Sequence, residues 1–235
     1  MNLALRRETE SVATTAIMLV GEEVVLDPRG VMFVPRLSLL AVSDLHLEKG
    51  SSFARRGALV PPYDSRQTLL RLGPVVAEYG PAIVVSLGDS FHDDGGLERM
   101  HGDCRQLLLA VMGSRDWYWI AGNHDPAPPR DVPGTASDEL AAGNLLFRHE
   151  PLKGAQPGEV SGHLHPAATL VRRGRAVRRP CFVSDGERMI MPAFGAYTGT
   201  LNIRDRAYRG LFDEAELVAY MIGPDRLYAI SGSKL

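Results

Sequence analysis

Short runs of alternating or continuous apolar residues open the chain at 15–20, 23–26, 31–34 and 37–42, separated by Gly21, Asp27-Pro28-Arg29-Gly30 and Pro35-Arg36. Such runs between turn residues predict an antiparallel meander entering a buried strand. A polar loop over 48–63 follows. Asp64 can then cap a helix over 65–78, whose Leu69, Leu70, Leu72, Val75 and Val76 recur at helical spacing. Gly73-Pro74 predicts a kink or split within it, because proline donates no hydrogen bond and crowds the preceding turn. Gly80-Pro81 ends it, and a strand over 82–87 comes next. A second helix over 97–112 carries Leu97, Met100, Cys104, Leu107, Leu108 and Val111 on one face, and a strand over 117–121 follows. The second half holds only short runs, at 144–148, 159–161, 168–171, 181–183 and 188–191. It ends in a hairpin of 217–222 and 226–230 about Gly223-Pro224-Asp225. No repeat or linker interrupts the chain, so a single domain over 15–235 is expected behind an N-terminal tail of 1–14. Its strand–helix half and its all-strand half must share one core, which predicts an α/β fold of two facing sheets with helices outside.

Composition narrows the classes. The 235 residues are 45% hydrophobic and 23% charged, with a formal net charge of -2, as in an ordinary globular protein large enough to need no staple. Cys104 and Cys181 stand 77 residues apart, which excludes a disulfide scaffold and a cysteine zinc site. No apolar run approaches the roughly 20 residues of a membrane span. Arg6 and Arg7 are followed by Glu8 and Glu10 rather than an apolar leader core, so a cytoplasmic location is expected. Charge is unevenly spread: 168–210 carries nine arginines and three acids, net +6. That stretch suits an acidic partner or a solvated face.

The chemistry gathers where strands end. Asp44-Leu45-His46 follows the strand over 37–42, Gly88-Asp89 that over 82–87 and Gly122-Asn123-His124-Asp125 that over 117–121. Ligand sites of α/β sheets collect at strand carboxyl ends. In an extended chain residues i and i+2 share a side, so Asp44 and His46 can face one ion, and His163 and His165 of Gly162-His163-Leu164-His165-Pro166 repeat that spacing. Gly88, Gly122 and Gly162 precede ligand candidates, where a missing Cβ permits close approach. With His149, the candidates number two carboxylates, one amide and up to four imidazoles, too many for one ion. They suit two divalent ions about 3.5 to 4 Å apart bridged by a carboxylate. Imidazole and oxygen donors without thiolate favour Mn, Fe or Zn, and two Mn²⁺ ions are the first expectation. His101 reads as a surface residue. His92 reads either as a plain loop residue or as support for the ligands beside it.

The ordered set Asp44/His46, Asp89, Asn123/His124/Asp125, His149 and His163/His165 resembles the calcineurin-like metallophosphoesterase superfamily. The resemblance implies a four-layer αββα sandwich of two mixed sheets flanked by helices. It also implies that His124 faces the substrate phosphate rather than a metal and that Asp125 holds its orientation. An imidazolium there can protonate a departing alkoxide. On this basis Asp44, His46, Asp89 and His165 hold one ion, and Asp89, Asn123, His149 and His163 the other.

Residues outside these blocks narrow the resemblance. Asp44 to Gly57, Pro61-Pro62-Tyr63-Asp64, Gly88 to His92, Pro180 to Val183 and Pro192 to Gly195 are similar to the bacterial ligase-associated metallophosphoesterases, described as DNA damage response endonucleases or phosphodiesterases. That implies a DNA substrate, a DNA ligase and a helicase as partners, and no membrane. Homodimerisation is left open. Arg55 and Arg56, in a loop over 51–57, either cover a substrate phosphate or form a solvated basic loop. Two other functions remain open: hydrolysis of a small nucleotide or other phosphoester, and a docking subunit without catalysis.

Overall fold

The computed structural model describes residues 12–127, 129 and 131–235. Its first sheet begins as a meander of β1 (Thr15–Leu19), β2 (Glu22–Asp27), β3 (Val31–Val34) and β4 (Leu39–Val42), each antiparallel to the next. It continues from β4 through three parallel neighbours, β5 (Ile83–Ser86), β6 (Asp116–Ile120) and β7 (Thr135–Ser137). Helices α1 (Lys49–Arg55) and α2 (Asp64–Tyr79) link β4 to β5, and α3 (Gly96–Arg99) and α4 (Gly102–Met112) link β5 to β6. The tail expected over 1–14 lies outside the described residues except at its end, where the Ala13 amide donates to the Asp225 carbonyl.

The second sheet contains β8 (Glu139–Ala142), β9 (Leu145–Arg148), β10 (Glu159–Ser161), β11 (Pro166–Arg172), β12 (Arg175–Ser184), β13 (Met189–Ile190) and β14 (Leu201–Asn202). Their spatial order is β14-β11-β12-β13-β10-β9-β8. The hairpin of β15 (Val218–Ile222) and β16 (Leu227–Ser231) joins the inner half of β12.

Three apolar layers hold these sheets. Between them, Leu39, Ala41, Val85 and Ile120 meet Phe147, Val160, Phe182 and Met189. On the far side of the first sheet, Leu40, Val42 and Val84 pack under Leu69, Leu72, Val75 and Val76 of α2 and Leu108, Val111 and Met112 of α4. Strand β4 is thus covered on both faces, which is why it reads as an unbroken apolar run. Each such side chain contributes about 1.5–3 kcal/mol on burial. Beyond the second sheet, Ala168, Cys181 and Val183 pack under Tyr208, Leu211 and Leu217. The sandwich is the expected one, but its fourth layer is an irregular segment with a single 3-10 turn at Arg206–Tyr208. Among the described residues no helix is long and apolar enough to cross a membrane.

Several local expectations change. The loop expected over 48–63 contains α1, anchored from α2: Ser65 Oγ accepts from the Glu48 amide and Asp64 Oδ2 from the Gly50 amide. Asp64 therefore serves α1 and does not cap its own helix. Gly73-Pro74 does not split α2. The carbonyl that Pro74 leaves without a donor belongs to Leu70, which is exposed to water, while the buried leucines and valines keep the helix on the sheet. The helix expected over 97–112 breaks at Met100, where the backbone turns extended, and His101 caps the second piece as an exposed residue. Strands β7 and β8 follow the proline-rich loop with little apolar signal of their own, and pairing with β6 and β9 forms them.

Candidate metal centre

Parallel β4, β5 and β6 end along one edge, so Asp44, Asp89 and Asn123 emerge side by side. From the facing sheet, β9 ends at His149, and His163 and His165 follow β10. The backbone there is not extended, and the i, i+2 argument for Asp44/His46 and His163/His165 is replaced by another geometry. Asp44, His46, Asp89, His163 and His165 all have φ between 42° and 65°, in the left-handed region. For residues with a Cβ this conformation is costly and is kept only where surroundings impose it. Crowding supplies part of the reason. A Cβ on Gly122 would collide with the Asp89 amide, and one on Gly162 with Ser43 Oγ.

Three groups of donors result, Asp44/His46/His165, Asp89/His149/His163 and His46/His92/His124, each with ligand atoms within 4.8 Å of one another, and the first two contain the carboxylates. In the first, His165 Nε2 lies 3.1 Å from Asp44 Oδ1 and 3.4 Å from His46 Nε2. In the second, His149 Nε2 lies 3.0 Å from Asn123 Oδ1 and 3.2 Å from His163 Nδ1. Asp89 spans the two: Oδ1 is 3.4 Å from His149 Nε2 and Oδ2 is 3.6 Å from His46 Nε2. Asp44 accepts from Ser43 Oγ and the His163 amide, and Asp89 Oδ1 from the His124 amide, which fixes both carboxylates.

The donor chemistry fits divalent cations. His149 and His165 direct Nδ1 at the Leu87 and Gly199 carbonyls, 2.9 and 3.1 Å away, so those nitrogens carry the proton. Their Nε2 atoms then face carboxylate, amide and imidazole acceptors, a set of lone pairs that either a proton on Nε2 or a cation between them satisfies. The local field agrees. Burial lowers the His149 pKa, but Asp89 and Asp44 outweigh it and carry it to about 9. Burial raises Asp89, yet its hydrogen bonds bring it to about 2. His46, without an equally close carboxylate, is pushed by burial down to about 3. Most of the cluster is buried, while Asn123 and His124 are exposed, which opens one side to a substrate.

His92 lies inside this centre. Its Nδ1 is 3.3 Å from His46 Nδ1, and its ring stacks on His124 with centroids 4.7 Å apart. Its carbonyl accepts from His124 Nδ1 at 3.1 Å. The orientation of His124 expected from Asp125 therefore comes from His92. The buried Asp125 carboxylate instead accepts from the Phe91 amide, and burial pushes its pKa up to about 7. Arg55 and Arg56 close α1 and line an open cleft with Ser52, Asp93, Asp94 and Gly95, beside His92. Lys49 has nothing in its sequence context to single it out. The helix that the sequence pattern conceals seats its ammonium over the Phe53 ring, whose edge meets His92.

Comparison with known proteins agrees with this geometry. The family model for calcineurin-like phosphoesterases matches residues 37–183. The solved structure of the Pseudomonas putida nuclease MPE superposes with a TM-score of 0.71 at 26% identity, covering 93% of this chain and all of that one. No curated protein matches by sequence. A match over more than half the chain, enclosing every candidate ligand, makes this protein a member of the calcineurin-like phosphoesterase family and a hydrolase of phosphoester bonds.

Proposed function

We propose that this chain is a phosphodiesterase that cuts nucleic acid, DNA foremost, at a centre of two divalent cations. Asp44, His46, Asp89 and His165 would hold one cation and Asp89, Asn123, His149 and His163 the other; the donor set suits Mn, Fe or Zn, of which we take Mn²⁺ first. The observation that carries this reading is Asp89, whose two oxygens face two separate clusters. When bound, the cation pair neutralises charge on the phosphoryl oxygens and makes a water more acidic. The chain's own residues do the rest. His124 commits its Nδ1 proton to the His92 carbonyl, which leaves Nε2 as the atom that delivers a proton to the leaving oxygen. His92 holds the His124 ring by stacking and steers His46 through their facing Nδ1 atoms. Lys49, Arg55 and Arg56 bring positive charge to the approach of a phosphodiester.

DNA as substrate is supported by the nuclease among the structural neighbours and by the resemblance to ligase-associated enzymes. The same resemblance supports a cytoplasmic repair role beside a DNA ligase and a helicase. The test is metal-stripped protein given Mn²⁺ with single-stranded DNA, duplex DNA, RNA, cyclic nucleotides and bis-p-nitrophenyl phosphate, with Asp89→Ala as control. Nucleic-acid cleavage that disappears in the variant is the expected result. Turnover confined to small diesters overturns the nucleic-acid reading.

A further inference from the structure

The second sheet sends a two-stranded ribbon into solvent. Outer β11 and β12 pair from Ala167 opposite Pro180 to Arg172 opposite Arg175, and every residue of 171–180 is exposed. Arg173 and Gly174 close the ribbon with φ of 50° and 73°, the left-handed pair that a two-residue hairpin turn requires. The tip is therefore a formed hairpin. It carries Arg172, Arg173, Arg175, Arg178 and Arg179, and no acidic residue occurs between 160 and 184. Among the described residues none of these five enters an ion pair. Arg178 donates to the Thr200 carbonyl and hydroxyl, both neutral.

Folding alone does not account for this charge. Arg172 stands directly across from Arg175, where like charges repel. Val171 and Val177 are 66% and 49% exposed, so the ribbon gains little burial in return. A polyanion laid along it reverses the sign of the charge term. The root of the ribbon indicates where that polyanion leads: Pro166 of β11 directly follows His165, and Arg178 is tied to Thr200, next to the Gly199 carbonyl that faces His165 Nδ1. From His165 to Arg172 an extended chain covers roughly 20 Å, beyond the reach of a single nucleotide.

We infer that the Arg172–Arg179 ribbon is a nucleic-acid arm that grips the sugar–phosphate backbone of a strand whose scissile bond lies at the metal centre. The inference rests on the phosphodiesterase reading and names the surface that recognises its polymeric substrate. Charge complementarity selects the occupant. A second copy of the chain would need an acidic face opposite the ribbon.

The experiment compares wild type with an Arg172→Ala, Arg175→Ala, Arg179→Ala triple variant, all at exposed positions. Fluorescence anisotropy with labelled 30-nucleotide oligothymidylate and oligouridylate is recorded without metal across a salt series. Every phosphate that is no longer neutralised takes about 0.7 off the slope of log affinity against log salt, so the variant should flatten by about 2 and bind about tenfold more weakly or worse. The corresponding triple Arg→Lys variant should restore most binding, because a point charge suffices for a phosphate. A change with either oligonucleotide supports the arm and identifies the sugar it accepts. Unchanged slopes with both overturn it, as does a shift in oligomeric state with nucleic-acid binding intact. Mn²⁺-dependent turnover of bis-p-nitrophenyl phosphate is measured in parallel. If it persists while the slopes are unchanged, the arm fails and the centre stands. If it is absent while the slopes flatten, the arm stands and the phosphodiesterase reading fails.

Discussion

The metal centre and the arginine ribbon are two concentrations of charge joined by strand β11, which starts at the residue after His165, and they are built in opposite ways. In the centre, carboxylates and imidazoles are mostly buried, each has fixed neighbours, and five backbones are held in the left-handed region. In the ribbon every side chain from 171 to 180 is exposed, and the arginines lack carboxylate partners among the described residues. Buried charge is strongly coupled and position-specific, because little water screens it. Exposed charge is screened over about 10 Å at 0.1 M salt and acts collectively. The centre thus suits chemistry at one phosphorus atom, and the ribbon suits a polymer whose charges repeat.

Substitutions can break or sharpen that contrast. The largest effect is expected from Asp89→Ala, which removes the group facing both clusters. Metal content per chain measured by mass spectrometry should fall together with turnover, and a variant retaining two ions would remove Asp89 as the bridge. His124→Ala should keep its metal yet lose about 10²- to 10⁴-fold in turnover. The loss should be smaller for bis-p-nitrophenyl phosphate than for a dinucleotide, since nitrophenolate departs without a proton. Equal losses on both would remove His124 as the acid.

A third substitution asks what buried charge does away from the centre. Asp27 is fully buried and accepts from Arg29 and the Tyr79 hydroxyl. Asp27→Ala should destabilise the fold by about 2–4 kcal/mol in denaturant titration, leaving metal content intact. Burial raises the Asp27 carboxyl, but its partners bring it below the usual 3.8. Its contribution is therefore present above pH 3.8 and is lost as pH falls through the lower folded value. Wild type minus Asp27→Asn should show that loss on the acid limb, and parallel curves would contradict it. The smallest effect is expected from Arg179→Ala alone, which should flatten the salt slope by about 0.7 and leave stability within about 0.5 kcal/mol.

Much of this molecule is legible before any geometry. Asp44, Asp89 and Asn123 can be found because each follows an apolar run that only a buried strand explains, and Gly122 and Gly162 mark the close approaches beside them. His92 stays ambiguous because nothing in its neighbourhood along the chain reveals that it stacks on a residue 32 positions away. Lys49 is hidden with α1, whose first turn is held by Asp64 and Ser65 rather than by its own propensity. Asp125 adjoins His124 in sequence, yet its carboxylate turns to Phe91.

The sequence by itself determined the meander and the strand–helix alternation of the first half, the residue types able to bind cations and the local excess of arginine. These depend on periodicity, composition and short spacing, which need no partner to be read. Only the tertiary structure decided which oxygen of Asp89 faces which imidazole, what orients His124 and that the arginines stand on a projecting ribbon. Those outcomes require two sheets to meet across a shared core, where contacts distant in sequence outweigh local preference.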